Sequence, residues 1–289
     1  MKTYDISFAD RPKLLSAEII AYNYIDIGFA PCGDYWRQMR RIYVLELLSA
    51  RKVQSFRSIR EKESWNLVES VAMKRLNTIN LSNMIFTTIN TIISRMTIGS
   101  RCKDQDHQER RVSGQSDHEN EDLIDVLLRI KDDGGLQFPL AFDNIKAVIL
   151  DMIVAGSDTS SVTIEWAMSE LIKSPRVMKK AQDELRQVFK GRSMILESDM
   201  QELNYLKLVI KETLRLHPPV PFLLPRECRK NCEIGGYNMF AKTKVIINSW
   251  MIGRDTDYWI DAESFIPERF SDSSANMIGT DFEYVTTCF

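Results

Sequence analysis

A glycine, a carboxylate and a hydroxyl stand together in the segment GSDT, which begins at Gly156 in an otherwise apolar stretch. Apolar residues recur there at spacings of three and four from Ile145 to Ile153, which predicts a helix with one buried face. Gly156 and Thr159 follow on that face, with Asp158 beside them. Glycine inside a helix costs about 1 kcal/mol relative to alanine, so the break needs a physical reason. Two reasons are possible, a notch for a closely packed helix or a catalytic groove, and the segment alone favours the notch.

A second candidate group is Trp36 with Arg40, four positions apart on a helix predicted from Tyr35 to Phe56, with Asp34 as its cap. Guanidinium and indole N–H groups are fixed donors that suit carboxylates, so the pair could clamp an anion. The alternative is a basic, solvated helix face with Trp36 anchored in the core. Taken alone, the pair favours that alternative.

The third group is Glu212 with Arg215, three positions apart in a predicted helix that His217-Pro218-Pro219 ends. This helix is apolar on two sides, which is typical of a buried helix. Burial takes both charges out of water, and that is tolerable only if they are paired and hydrogen-bonded. An isolated E-x-x-R sequence is more often a surface pair, so the prediction of a buried pair depends on these apolar surroundings.

The elements that must position these groups are mostly helices. The GSDT segment belongs to one predicted helix, Asp143–Lys173, of roughly 45 Å at 1.5 Å per residue. Asp143 can cap its start, and Ser174-Pro175 ends it. Near the C-terminal end, Cys232–Met239 and Lys244–Trp250, joined by FAKT, predict a β-hairpin. The fold class is therefore mainly α with a small β-sheet or hairpin region.

Composition excludes several classes of function for this chain of 289 residues. Its 38 basic and 40 acidic residues give no case for binding nucleic acid. Five scattered cysteines indicate a reducing compartment without a disulfide framework. Cys228 and Cys232 lack nearby His or Cys partners, so no zinc or other metal site is expected from them. No run approaches the roughly 18 apolar residues of a membrane span, so none is expected in this chain.

Four motifs in one order indicate a family: Trp36-x-x-x-Arg40, Ala155-Gly156-Ser157-Asp158-Thr159, Glu212-x-x-Arg215 and Pro267-Glu268-Arg269-Phe270. Together they resemble the cytochrome P450 superfamily of haem-thiolate monooxygenases. The connecting segments FAPCGDYWRQMRRI, KETLRLHPPVPFLLPREC and NSWMIGRDTDYW are similar to the plant microsomal branch, especially to members that oxidise terpenoids. The resemblance covers nearly every residue apart from 101–120 and the last four.

The resemblance implies a cytochrome P450 fold around the long helix, haem b as cofactor, and roles for individual residues. Gly156 would leave room for dioxygen, and Asp158 with Thr159 would relay protons. The haem propionates would be held by Trp36, Arg40 and Arg226. Bracing of the core under the haem would come from a buried network of Glu212, Arg215 and Arg269. The substrate pocket would be lined by Met152, Ile153, Val220 and Phe222.

The implied reaction is the NADPH- and O2-dependent hydroxylation of a small hydrophobic substrate such as a terpenoid. The implied redox partner is an NADPH-cytochrome reductase. The implied location is the cytoplasmic face of the endoplasmic reticulum membrane, although this chain without an anchor would be cytoplasmic.

The sequence also departs from the family pattern. The axial cysteine motif Phe-x-x-Gly-x-Arg-x-Cys-x-Gly is missing, because DFEY is followed by VTTCF, and Cys288 is not expected to replace that ligand. The polar residues 101–120 predict a solvated loop at an internal deletion, where the family has two further helices. We therefore expect a single partial domain, residues 1–289, without the N-terminal anchor, the haem-ligand loop or complete catalytic machinery. The alternative is a non-catalytic remnant or a partner-binding helical protein.

Overall fold

The structure is a computed structural model that describes residues 4–74, 77–99, 121–190, 192 and 196–271. The chain forms two compact units. The first unit is Asp10–Ser157, and the second unit runs from Asp158 onward together with the residues before Asp10. The expectation of one domain over residues 1–289 stays a prediction. The predicted loop at residues 101–120 and the tail that contains Cys288 lie outside the described residues.

Helices build the first unit, and the last of them continues into the second. They are α1 (Leu15–Ile20), α2 (Asp34–Ile42), α3 (Ala50–Ser55), α4 (Arg57–Met73), α5 (Leu81–Ile98), α6 (Leu123–Asp133) and α7 (Phe142–Lys173). The predicted long helix is therefore α7, which begins one residue before Asp143.

The helix predicted from Tyr35 to Phe56 is two helices instead of one. A π-helical segment, Tyr43–Leu47, follows α2, and α3 then begins afresh. The Ser49 hydroxyl caps α3 by accepting from the Lys52 N–H, a preference of serine that competes with a continuous helix. Asp34 does not cap α2 but is its first residue, where it pairs with Arg37 at 2.5 Å.

The core of the first unit is one cluster of apolar side chains from α2, α6, α7 and the segments between them. Met39, Leu127 and Val148 are fully buried in it. Met152 and Trp36 pack against its edge as partly buried residues. The apolar stripe of the first half of α7 thus faces protein, as its spacing predicts.

Among the described residues, the second unit contains the rest of α7, three further helices, three 3-10 turns and four short strands. The helices are α8 (Pro175–Val188), α9 (Asn204–Leu216) and α10 (Ser249–Ile252), and the turns are Ile6–Phe8, Glu197–Glu202 and Pro267–Phe270. Its main cluster joins Leu171 of α7, Val177 and Ala181 of α8, and Tyr205 and Val209 of α9.

In the part of the chain that the structure describes, the β structure consists of two antiparallel pairs: β1 (Arg226–Glu227) with β4 (Lys244–Val245), and β2 (Cys232–Ile234) with β3 (Tyr237–Met239). The predicted hairpin of Cys232–Met239 with Lys244–Trp250 is therefore wrong. The chain turns earlier, at Gly235 and Gly236, whose φ angles of 55° and 83° suit the tight two-residue turn that glycine permits. Trp250 lies in α10.

Helix α7 is, among the described residues, the one helix that is long and apolar enough to cross a membrane. A count of consecutive apolar residues in the sequence predicts no membrane span. Charged residues interrupt this helix, so such a count misses it. Its Ile145, Ala147 and Val148 are buried within the first unit. Asp151 accepts hydrogen bonds there from Tyr43 and from the Ile27 N–H. These contacts pack the first half of α7 against the rest of the first unit.

The core cluster predicts a clear difference between two leucine truncations. Leu127 is 0% exposed, whereas Leu15 on α1 is 74% exposed. Leu127→Ala should lower the free energy of unfolding by about 2–5 kcal/mol, because it leaves a cavity, and Leu15→Ala by less than about 0.5 kcal/mol. Urea unfolding followed by circular dichroism measures both. Equal losses would show that Leu127 is not in the core.

Candidate functional site

A buried charge network lies at the C-terminal half of α9. Glu212 and Arg215 are 0% and 2% exposed and form two parallel hydrogen bonds, Nε to Oε2 and Nη2 to Oε1, both of 2.8 Å. The Nε of Arg269 donates to the same Glu212 carboxylate at 3.0 Å. The apolar faces of α9 take the pair out of water, and the pairing makes that burial tolerable. The structure brings together all three residues for which the sequence predicts one network.

The same network fixes a segment with little regular structure. Arg215 donates to the backbone carbonyls of Gly253, Ala262 (2.7 Å) and Ser264 (3.1 Å). Glu212 accepts from the backbone N–H of Ile266 at 2.8 Å. A Cβ at Gly253 would stand 2.2 Å from the Arg215 carbonyl oxygen, so only glycine allows this close approach.

The Pro267–Phe270 turn is held from outside by a second carboxylate. Glu268 accepts from Arg176 (2.7 Å), Lys180 (3.2 Å) and the Tyr205 hydroxyl (3.0 Å). These donors, with Arg176 first, lower the pKa of Glu268 from 4.5 to about 2. The turn therefore carries one arginine that points into the network and one glutamate that points to α8 and α9.

The polar break in α7 has a packing partner. A Cβ on Gly156 would stand 3.0 Å from the Cδ1 of Ile93, so the space that the glycine leaves is taken up by α5. Next to it, the buried Ser157 hydroxyl donates to Asn90 of α5 at 3.3 Å. The notch interpretation therefore describes the Gly156 face, and the room for dioxygen at Gly156 stays a prediction.

The two predicted relay residues differ in exposure. The Asp158 side chain is exposed, whereas Thr159 is half-buried, and its carbonyl accepts from the Thr163 hydroxyl at 2.7 Å. Asp158 can therefore exchange protons with water, and Thr159 presents a hydroxyl one residue further along the helix.

The predicted anion-binding residues are placed as separate groups. In the first unit, the Arg40 guanidinium is exposed and lies 5.3 Å from the centre of the Trp36 ring. The Trp36 N–H donates to the Ile27 carbonyl at 3.1 Å. In the second unit, Arg226 pairs with Asp5 at 2.7 Å. Of the three, Trp36 and Arg226 would have to exchange these partners in order to bind a carboxylate.

The predicted substrate residues also fall into two groups. Met152 and Ile153 are partly buried on α7 of the first unit. Val220 is partly buried and Phe222 is 54% exposed in the loop after α9 of the second unit. Two cavities in the first unit, of about 600 and 830 Å³, include neither Met152 nor Ile153 in their lining. Substrate contact by these four residues stays a prediction.

Sequence reasoning missed a buried acidic cluster in the first unit. Asp26 is 2% exposed and its carboxylate accepts from the Phe29 N–H at 3.1 Å. Asp151 of α7 accepts from the Ile27 N–H (2.9 Å) and from the Tyr43 hydroxyl (3.0 Å). One signal was available: Asp151 interrupts the apolar stripe three positions after Val148. A carboxylate on a buried face predicts a polar partner.

Burial determines the charge state of this cluster. Desolvation, followed by the nearby Asp151 carboxylate, raises the pKa of Asp26 from 3.8 to about 7. Desolvation also raises the pKa of Asp151, although its hydrogen bonds with Ile27 and Tyr43 oppose the shift. The pKa of Tyr43 is raised by burial and by Asp151. At neutral pH the pair therefore tends to hold a proton rather than two negative charges.

The described cysteines are Cys32, Cys228 and Cys232, and all three are free thiols. Cys228 is buried and its Sγ lies 3.9 Å from that of Cys232. Neither thiol is at a helix N-terminus, where backbone N–H groups would stabilise a thiolate. This environment does not fit an axial thiolate ligand.

Comparison with known proteins gives consistent matches. The sequence profile of the family described as Cytochrome P450 matches residues 1–113 and 105–286. Costunolide synthase from Lactuca sativa is 44% identical over 337 aligned residues, which cover 99% of this chain and 69% of that protein. Amorpha-4,11-diene 12-monooxygenase from Artemisia annua and germacrene A hydroxylase from Barnadesia spinosa are each 47% identical and cover 99% of this chain and 68% of their own lengths.

Solved structures match the fold. A zebra fish cytochrome P450 determined with progesterone superposes with a TM-score of 0.81 at 21% identity, covering 97% of this chain and 75% of that one. A second structure of a zebra fish cytochrome P450, with abiraterone, gives a TM-score of 0.79 at 23% identity, with 92% of this chain and 72% of that one covered. At this level of identity the match concerns the fold alone. It confirms the predicted fold class, mainly α with small sheets.

The buried network predicts unequal effects for two carboxylate substitutions. Glu212→Gln leaves Arg215 buried without a counter-charge and should lower the free energy of unfolding by about 3–5 kcal/mol. The matched control is Asp183→Asn, because Asp183 and its partner Arg186 are both exposed, and its loss should stay within about 1 kcal/mol. Urea unfolding compares the two. A Glu212→Gln loss no larger than that of the control would contradict the network's role.

The raised pKa of Asp26 predicts a pH-dependent stability with a definite sign. Between pH 3.8 and about 7 the folded protein keeps a proton that the unfolded chain loses, so stability falls as pH rises through this interval. Asp26→Asn removes that loss, because asparagine does not titrate. The Tm of Asp26→Asn minus the Tm of the parent should therefore be larger at pH 8 than at pH 5. Exposed Asp133→Asn is the control, and its Tm difference should not change with pH. A constant Tm difference for Asp26→Asn would refute the argument.

Proposed function

Because the chain belongs to the cytochrome P450 family of haem-dependent monooxygenases, we propose that it acts in the hydroxylation of a small terpenoid hydrocarbon. In this reaction the substrate, O2, NADPH and one proton give the hydroxylated product, NADP+ and water. The proposal rests on one observation: relatives that are 44–47% identical across 99% of this chain are a costunolide synthase, a germacrene A hydroxylase and an amorpha-4,11-diene 12-monooxygenase.

The proposed cofactor is haem b, and the donor residues fit its carboxylate side. A guanidinium and an indole N–H are donors that suit propionates, and the exposed Arg40 presents the first beside Trp36. Arg226 is the third proposed donor and would exchange Asp5 for a propionate. When bound, haem supplies the redox chemistry that activates dioxygen.

The chain's own residues would handle protons and substrate. Asp158 is exposed, so its carboxylate can take protons from water, and the Thr159 hydroxyl can accept and pass a proton at its oxygen. Met152 and Ile153 on α7, with Val220 and Phe222 after α9, are the proposed apolar contacts of the substrate. Glu212, Arg215 and Arg269 would hold the segment Gly253–Phe270 in place without touching substrate.

This sequence does not match the family pattern at the axial haem ligand. Neither Cys228 nor Cys232 has the surroundings of a haem thiolate, and the ligand motif of the family is not found in the 289 residues, around Cys32 included. We therefore propose that activity requires a thiolate which Cys32, Cys228 and Cys232 do not provide. No catalytic step is assigned to these three residues.

An internal deletion is proposed near residues 105–113. The family profile matches in two separate segments that overlap there. The alignment with costunolide synthase is 337 residues long although this chain has 289, so the relative has residues in the alignment that this chain lacks. The proposed single domain would then be a cytochrome P450 fold that lacks the two further helices which cover the substrate pocket in the family.

The spectrum of the reduced, carbon-monoxide-bound protein tests the ligand proposal. The 289-residue chain, expressed with haem available, should give no thiolate-type Soret band. A control chimera carries the C-terminal segment of the Barnadesia germacrene A hydroxylase in place of residues 285–289. It should give the thiolate-type band, because the segment supplies the missing motif. A thiolate-type band from the unaltered chain would overturn the ligand proposal.

The chimera also tests the proposed reaction. With NADPH, a plant NADPH-cytochrome reductase and either germacrene A or amorpha-4,11-diene, it should form a product with one added oxygen atom, detected by mass spectrometry. Thr159→Ala should lower the product formed per NADPH consumed, whereas Thr163→Ala, one turn along α7, should not. A chimera with the thiolate band but no oxygenated product from either hydrocarbon would contradict this substrate class.

The second candidate function is a partner-binding protein without catalysis. It is favoured by the apolar face of α1, on which Leu15, Ile19 and Ile20 are 74%, 70% and 57% exposed. Exposed apolar side chains at one place are typical of interaction surfaces. An absent haem spectrum in both the chain and the chimera would favour this candidate.

A further inference from the structure

Two thiols of the second unit lie in contact at a place that the proposed function does not use. The Sγ atoms of Cys228 and Cys232 are 3.9 Å apart. Cys228 directly follows β1 and is 0% exposed, whereas Cys232 is the first residue of β2 and is partly exposed. Only three residues separate them, so the two side chains are neighbours through both sequence and fold.

The backbone on both sides of this pair is fixed. The Cys228 N–H donates to the Thr243 carbonyl at 2.9 Å, and the Cys228 carbonyl accepts from the Lys242 N–H at 2.7 Å. Cys232 stands opposite Met239 in the β2–β3 pair. Between them, the Asn231 side chain accepts from the Ala241 N–H at 2.8 Å. Hydrogen bonds of the backbone and of Asn231 thus hold the two cysteines near each other, in addition to those that the sulfur atoms make.

The short remaining gap suits a disulfide bond better than a metal ion. A disulfide needs the sulfur atoms at about 2.05 Å, and the two Sγ atoms are already neighbours at 3.9 Å. A metal would need further ligands, and within the described residues no group of three His, Cys, Asp or Glu side chains surrounds a common point. We propose that Cys228 and Cys232 are a redox modification site, at which a peroxide converts the dithiol into an intrachain disulfide.

Exposure assigns a different role to each thiol. Cys232 is reachable from solvent, so its thiolate would attack hydrogen peroxide, forming a sulfenic acid and releasing water once the hydroxide is protonated. The buried Cys228 thiol, held by its hydrogen bond to the Lys230 carbonyl at 3.0 Å, would then attack the Cys232 sulfur. That step forms the S–S bond and releases a second water. Overall, two thiols lose two electrons and two protons, and one peroxide is reduced to two waters.

The reaction should be slow at neutral pH and faster at alkaline pH. Partial burial and the hydrogen bond with Cys228 raise the pKa of the Cys232 thiol above its ordinary value, although Lys230 opposes the shift. Since the thiolate is the nucleophile, its fraction rises as pH rises toward that pKa.

The test treats the reduced, folded 289-residue chain with hydrogen peroxide, then blocks the remaining thiols with an alkylating agent in denaturant. The expected result is a fall from five to three alkylated thiols, with a cross-linked peptide joining Cys228 to Cys232. A dithiol reductant should restore all five. Pairing of either residue with Cys32, Cys102 or Cys288, or an unchanged count of five, would overturn the proposal.

Three serine variants separate the roles of the two thiols. In Cys228→Ser, Cys232 has no resolving partner and should accumulate as a sulfenic acid that dimedone traps. In Cys232→Ser, Cys228 should remain a thiol because it is buried. Cys32→Ser is the matched control and should still form the disulfide at the parent rate. Equal dimedone trapping at Cys228 and Cys232 in the two variants would overturn the assigned order.

Discussion

The second unit depends most on the hydrogen bonds that the Glu212 carboxylate accepts. Residues 253–270 contain one short 3-10 turn and otherwise loop, so they cannot hold their shape by a regular hydrogen-bond pattern. Arg215 and Arg269, both bonded to Glu212, supply the missing bonds through the backbone carbonyls of this segment. Arg215 makes five hydrogen bonds, which uses every N–H that a guanidinium has. Complete pairing explains how a buried charge can stabilise a fold.

The first unit also takes carboxylates out of water, but uncharged donors rather than arginines bind them. Its buried polar cluster contains two carboxylates, Asp26 and Asp151, and the groups bonded to them are backbone N–H groups and the Tyr43 hydroxyl. Two negative charges would be costly in this environment, and a retained proton removes one. Helix α7 is thus bound to the segment before α2 by neutral or singly charged hydrogen bonds. The charge of this contact depends on pH near neutrality, whereas the Glu212 contact is already balanced.

The sequence predicted those parts of the fold that local chemistry determines. Helix α7 was placed to within one residue, because its apolar period and Pro175 are local signals. Glu212 and Arg215 were expected to pair because both stand on a helix with two apolar faces. The hairpin differs from its prediction, because the chain turns at Gly235-Gly236 rather than at FAKT, and glycine is the residue that tight turns prefer. The partnership of Asp26 with Asp151 could not be predicted, because 124 positions separate Asp151 from Ile27, whose N–H it binds.

The two reasons considered for the break in α7 are compatible, because a helix has more than one face. Successive residues are about 100° apart around the axis, so Asp158 lies about 200° from Gly156, nearly on the opposite side. The Gly156 side is occupied by Ile93, and Asp158 is exposed. The glycine can therefore serve close packing on α5 while the carboxylate is available for proton exchange. The sequence presented notch and groove as alternatives because a linear motif does not show direction. In three dimensions, the packing contact fixes the helix rotation and, with it, the direction in which the carboxylate points.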